Sequence, residues 1–214
     1  MAAGCCNHYE TTPVVEPGWR RVLWVAFGVN AGFFLIEIAA GLAAGSVALQ
    51  ADALDFLGDA ANFAISLGVV GLALAWRSRA AMAKGLTMIA LALWILGNAA
   101  WHAYFGTVPK AELMGIIGIA ALCANGAVAL MLWRYRNGEA NRRSAWLCAR
   151  NDAIGNLGVL AAAAGVFGTG IGWPDVIVAC VMGTLGLQGG WQIVRQARAE
   201  LRAASHDGVA MAAE

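Results

Sequence analysis

Charge is scarce in this chain. Of its 214 residues only 13% are Asp, Glu, Lys or Arg, while 60% are hydrophobic and mean hydropathy is +0.66. A soluble globular protein is about a quarter charged, so this composition excludes an ordinary soluble domain and points to lipid. The net charge of +1 provides no basic surface for nucleic acid or for an acidic protein. A secretory leader is not expected either, since the opening MAAGCCNHYETTPVVEPGW is polar and holds two prolines. The five cysteines lack framework spacing. No HExxH helix or nucleophile motif occurs, which disfavours a membrane-embedded metal-dependent hydrolase needing a general base and an open metal position.

What is present is apolar sequence in long runs. Six stretches near 20 residues can each cross a bilayer: Val22–Ala44, Val47–Trp76, Ala83–Tyr104, Glu112–Trp133, Trp146–Phe167 and Asp175–Val194. The expected fold is an all-α membrane protein of six transmembrane helices in one bundle. It is expected to divide into a flexible cytoplasmic tail over 1–19, a six-helix transmembrane domain over 20–195 and a short cytoplasmic tail over 196–214. Twelve of the 14 Lys and Arg fall on one side: Arg20 and Arg21 before the first span, Arg77, Arg79 and Lys84 in the break before the third span and at its very start, four in Arg134–Arg143, and three in Arg195–Arg202. The positive-inside rule then puts both termini in the cytoplasm of a multi-pass inner (plasma) membrane protein. With Cys5 and Cys6 on that side and the other cysteines within spans, disulfides are not expected.

Against this background, ADALDFLGDAANF places Asp52, Asp55 and Asp59 at offsets of three, four and seven within the second span. At ~100° per residue they share one helical face, continued by Asn62 and Ser66. Acids inside a membrane segment are expensive and mark function. A matching stripe of Cys148, Asp152 and Asn156 lies in WLCARNDAIGNLGV of the fifth span. Asp55, Asp59, Cys148 and Asp152 are therefore the expected metal ligands, with Asp52 an approach or proton group. Four negative charges so close cannot all persist unpaired, so the empty site is expected to hold protons that a divalent cation displaces. Four ligands suit tetrahedral zinc, and the thiolate favours zinc, cadmium or cobalt over magnesium or calcium. The metal is expected as transported substrate, with no permanently bound cofactor.

The remaining polar residues have plainer expectations. Asn30, Glu37, Asn98 and Asn125 are read as interhelical hydrogen-bonding groups, His102 as interfacial, and Cys123 and Cys180 as packing residues. Arg150, on the opposite face from Asp152, is expected to reach the surface. Cys5, Cys6 and His8 form a soft-ligand cluster that can capture and deliver metal. Gly115, Gly118, Gly183, Gly186, Gly189 and Gly190 offer small surfaces for close helix approach.

Asn30, Glu37 and Gly41, the run GSVALQADALDFLGD from Gly45 to Asp59, and Asp152 within NDAIGNLGV together resemble the cation diffusion facilitator family across nearly all six helices. That family pairs ligands four apart on its second and fifth helices, positions held here by Asp55 with Asp59 and Cys148 with Asp152. The resemblance implies a homodimeric transporter that expels zinc-class cations from the cytoplasm in exchange for protons. Cysteine stands where the family usually has histidine, which opens the preference toward softer ions such as cadmium. Many members add a cytoplasmic α/β domain; the stretch Gln196–Glu214 is too short for one, so a dimer is expected to be held by membrane contacts. A membrane sensor or assembly subunit that binds metal without moving it is the principal alternative. One further expectation concerns depth. Asp59 lies 18 residues before Arg77, ~27 Å of helix, but Asp152 lies only nine after Arg143, ~14 Å. Levelling the two requires the second helix to continue through Leu67–Trp76 into the cytoplasm.

Overall fold

The apolar runs become six helices in the computed structural model, which describes residues 17–68, 74–135 and 140–211. They are α1 (Pro17–Ala44), α2 (Val47–Gly68), α3 (Leu74–Phe105), α4 (Ala111–Trp133), α5 (Ala140–Thr169) and α6 (Trp173–Met211), with no strand among the described residues. A helix satisfies its backbone polar groups internally, which is what a chain in hydrocarbon requires. Five of the six are long and apolar enough to cross a membrane. The sixth, α2, is 22 residues long and is set apart by Asp52, Asp55 and Asp59. Large apolar side chains such as Leu35, Ile116, Leu130, Phe167 and Ile177 cover the outside of the bundle, the surface expected to meet lipid.

The helices pack chiefly as α1 on α2, α4 on α5 and α3 on α6, and α2 also touches α3, α5 and α6. The acid-bearing helix is thus surrounded by protein. Glycines set the closest approach: a Cβ at Gly190 would lie 2.9 Å from the Ile89 side chain and 3.0 Å from the Gly85 carbonyl, and one at Gly186 3.0 Å from Leu54. Gly118 and Gly183 are similarly tight, whereas a Cβ at Gly115 or Gly189 would meet nothing. The expected small-residue surfaces therefore hold at some of these positions and not at those two.

Three short turns gather at one end, here called the hairpin end. Gly45, at φ +65°, closes α1: Ser46 N donates to Gly41 O at 2.9 Å and Gly45 N to Leu42 O at 3.3 Å, a Schellman ending that needs the left-handed residue. Ser46 then caps α2, its Oγ accepting from Leu49 N at 3.1 Å. Asp175 of α6 completes that cap from across the bundle, accepting from Ser46 Oγ at 2.6 Å, Val47 N at 2.8 Å and Ala48 N at 3.1 Å. A carboxylate suits a helix N-terminus because the first backbone N–H groups there have no intrahelical partner. Lys110 N, donating to Ala44 O at 2.9 Å, ties in the α3–α4 turn. The other end is joined by Trp19 against Tyr135 at 5.1 Å between ring centroids and by Ser78 Oγ donating to Glu200 at 2.6 Å. Aromatic residues mark both ends, Trp101, Tyr104 and Trp173 at one and Trp19, Trp133 and Trp146 at the other, as membrane interfaces favour.

Several boundaries differ from expectation. Trp76, the expected end of the second helix, belongs instead to α3, which is described from Leu74, so Arg77, Arg79 and Lys84 ride on α3 instead of forming a loop. The fifth helix begins at Ala140, taking in Arg142 and Arg143, and α6 runs to Met211 through most of the expected C-terminal tail. The first begins at Pro17, with Trp19 buried. Cys5, Cys6 and His8 lie outside the described residues.

Candidate cation site

The acids of α2 and α5 meet inside the bundle, with α2 described as far as Gly68 and α3 from Leu74. Asp59 lies nine residues, ~14 Å, before Gly68, and Asp152 lies twelve residues, ~18 Å, after Ala140 at the start of α5. The two side chains are within hydrogen-bonding reach of each other. Two carboxyl groups join in that way only when one of them carries a proton, since an ionised carboxylate only accepts. Asp59 is 8% exposed and its Oδ2 meets no donor. Asp55, one turn toward the hairpin end, is half-buried and is an electrostatic neighbour of Asp59 and Asp152. Of the four expected ligands, the three aspartates thus come together from two helices. Cys148 is half-buried one turn before Asp152 on α5. Among the described residues, no three His, Cys, Asp or Glu side chains stand in an arrangement that could hold a metal ion, so the ligand set is close without being closed.

Lys84 belongs to this site and was missed by counting basic residues into loops. It is 9% exposed on α3, ten residues inside the helix, and its Nζ donates to Asn62 Oδ1. Asn62 in turn reaches Asp59, and the Lys84 charge acts on Asp59 directly. A buried ammonium needs a paired partner, and the acid stripe of α2 supplies it. The signal available in the sequence was a lone Lys within AAMAKGLTMIALALW, an apolar setting that a helix beginning at Leu74 carries into the bundle.

Toward the hairpin end the same stripe continues into a second polar layer. Asp52, 2% exposed, accepts from Asn156 Nδ2 at 2.5 Å, and Asn156 Oδ1 accepts from Asn125 Nδ2 at 2.9 Å. Glu37 of α1 faces Asp52. Asn125 is therefore an interhelical hydrogen-bonding residue as expected, and so is Asn98, which donates to Gln50 Oε1 at 3.3 Å. Asn30 instead donates to Ala26 O of its own helix at 2.8 Å, and Glu37 finds no donor. Cys123 and Cys180 are exposed on the bundle exterior rather than packed within it, because α4 and α6 turn those faces outward. Arg150 points away from the site, donating to Asn151 Oδ1 at 3.1 Å with its guanidinium 5.2 Å from the Trp146 ring centroid. His102, half-buried near the end of α3, is an electrostatic neighbour of Asp175.

Comparison with known proteins identifies the family. Residues 23–202 match the cation efflux transmembrane domain. The chain is 32% identical over 199 residues to the zinc transporter ZitB of Escherichia coli (strain K12), covering 85% of this chain and 62% of that protein. It is 27% identical over 192 residues to the cadmium, cobalt and zinc/H(+)-K(+) antiporter of Bacillus subtilis (strain 168), covering 82% and 61%. It is 26% identical over 192 residues to the metal cation efflux system protein CzcD of Cupriavidus metallidurans, covering 83% and 60%. The chain spans about three fifths of the length of these relatives. A match over this much of the sequence, on a helical bundle with paired acids on α2 and α5, shows that the chain belongs to the cation efflux family.

Proposed function

We propose that this chain moves zinc-class divalent cations out of the cytoplasm in exchange for protons, with Asp55, Asp59, Cys148 and Asp152 as the ligands of the transported ion. The observation that carries the reading is the meeting of Asp59 and Asp152, from different helices, inside the bundle. Carboxylate and thiolate bind metal only when deprotonated, so metal entering this layer displaces protons from the residues that bind it. Exchange then follows if the layer opens alternately to the two sides. The Lys84 charge beside Asp59 compensates part of the negative charge of the empty layer. Relatives whose names include zinc transport and cadmium, cobalt and zinc/H(+)-K(+) antiport support both the ion class and the proton coupling.

The basic residues support cytoplasmic termini and release at the hairpin end, in an inner membrane and as a homodimer of the kind the family resemblance implies. Zinc and cadmium uptake into proteoliposomes, compared between the native chain and Asp59→Ala, tests the reading. Uptake lost in the variant is expected. Metal binding without uptake by the native chain would instead favour a sensor, and uptake unaffected by the substitution would place the ion path elsewhere.

A further inference from the structure

Glu37 presents a problem that the Asp59 layer does not solve. It is 0% exposed, and neither of its carboxyl oxygens meets a donor. The group it faces is the Asp52 carboxyl, itself buried and held by Asn156 Nδ2. Asp59 and Asp175 differ in this respect: Asp59 has Lys84 and Asn62 at hand, and Asp175 accepts three hydrogen bonds. Two buried carboxyl groups within hydrogen-bonding reach of each other, with one amide donor beside them, are held together by a shared proton, as at Asp59 and Asp152, and a divalent cation can take that proton's place.

The place of this pair in the fold is as informative as its chemistry. Glu37 is on α1, Asp52 on α2, Asn125 on α4 and Asn156 on α5, so four helices contribute to one layer. Along α2 the acids form a ladder, with Asp55 one turn from both Asp52 and Asp59 and the whole run rising ~10 Å toward the hairpin end. A cation leaving Asp59 and Asp152 in that direction passes Asp55 and next meets Asp52 and Glu37.

We propose that Glu37 and Asp52 form a second cation station, built of oxygen ligands alone, that takes the divalent ion between the Asp59 layer and the hairpin end. The proposal rests on the transport reading above. Two carboxylates complete a coordination shell only with water, so the station is weak and discriminates little among divalent ions. Such a site suits an ion in transit, and Asn156, anchored by Asn125, fixes the Asp52 carboxyl in place for it.

Cadmium binding to the full chain in lipid nanodiscs, followed by equilibrium dialysis and cadmium NMR, tests the station. The native chain is expected to bind one tight and one weak equivalent. Asp59→Asn with Asp152→Asn should remove the tight one and leave the weak one, with a chemical shift typical of oxygen ligands. Adding Glu37→Gln should weaken the remaining equivalent by at least about tenfold, whereas Glu37→Asp should retain part of it. Unchanged helix content and a single elution peak qualify each variant. Absence of the weak equivalent in the double variant, or its indifference to Glu37→Gln, would overturn the station. Survival of the tight equivalent in the double variant would count against the Asp59 layer, and the Glu37 result would still decide the outer pair.

Discussion

Asp59 is held between two groups of opposite character, the Lys84 ammonium on the α3 side and the Asp152 carboxyl on the α5 side. Substitutions at these two should act in opposite directions on metal binding. Lys84→Gln keeps a hydrogen-bonding side chain toward Asn62 and removes the charge that competes with an incoming cation. At an effective dielectric of roughly 20, two unit charges ~4 Å apart interact by about 4 kcal/mol and ~10 Å apart by about 1.7 kcal/mol, so zinc affinity is expected to tighten by about tenfold or more, as read by calorimetric titration. Asp152→Asn should weaken it by a similar or larger factor. Cys148 tests the ligand chemistry separately. Cobalt bound to the native chain should show a thiolate-to-metal charge-transfer absorption that Cys148→Ser abolishes, while the selectivity for cadmium over zinc falls. Lys84 was hidden in the sequence for a plain reason. Charge counting assigns a Lys to a loop whenever basic neighbours such as Arg77 and Arg79 precede it, and only the helix start at Leu74 reveals that ten residues of α3 carry it inward.

At the scale of the element, α2 is the helix on which the site depends, and its N-terminus is fixed by a residue far away in sequence. Asp175→Ala removes three hydrogen bonds from that end at once. Leaving Val47 N and Ala48 N without an acceptor in a buried place is expected to lower stability by about 1–3 kcal/mol, measured as a shift in the denaturant midpoint of the detergent-solubilised protein. The α3–α6 contact offers a paired test. Gly190→Val inserts methyl groups where Ile89 and Gly85 already stand and should destabilise by about 1–3 kcal/mol, whereas Gly189→Ala, facing open space, should be close to neutral.

The existence of all six helices was legible from hydropathy alone, and so was the alignment of Asp52, Asp55 and Asp59 on one face. The assignment of Trp76 to α3 was not: Leu67–Trp76 is a continuous apolar run without charge or proline, which hydropathy reads as part of one helix, and Lys84 was left outside the bundle as a result. The facing of Glu37 toward Asp52 was likewise illegible, because a helical period shows which residues share a stripe but not which stripe of another helix they meet.

On the scale of the whole molecule, the bundle places two polar layers in series between a basic end and the hairpin end, sheathed in apolar side chains. Metal and protons compete for the same groups, so acidification should release the ion. Each proton displaced per metal changes apparent affinity by about tenfold per pH unit, rising as pH rises. Coupling itself is tested most directly by imposing only a proton gradient on proteoliposomes that hold equal zinc on both sides. With the lumen acidic, zinc should accumulate inside as protons leave, and the gradient should have no effect on Asp152→Asn. Zinc that stays at equilibrium in the native chain while the pH gradient persists, or that moves equally without a gradient, would contradict metal–proton exchange through the Asp59–Asp152 layer.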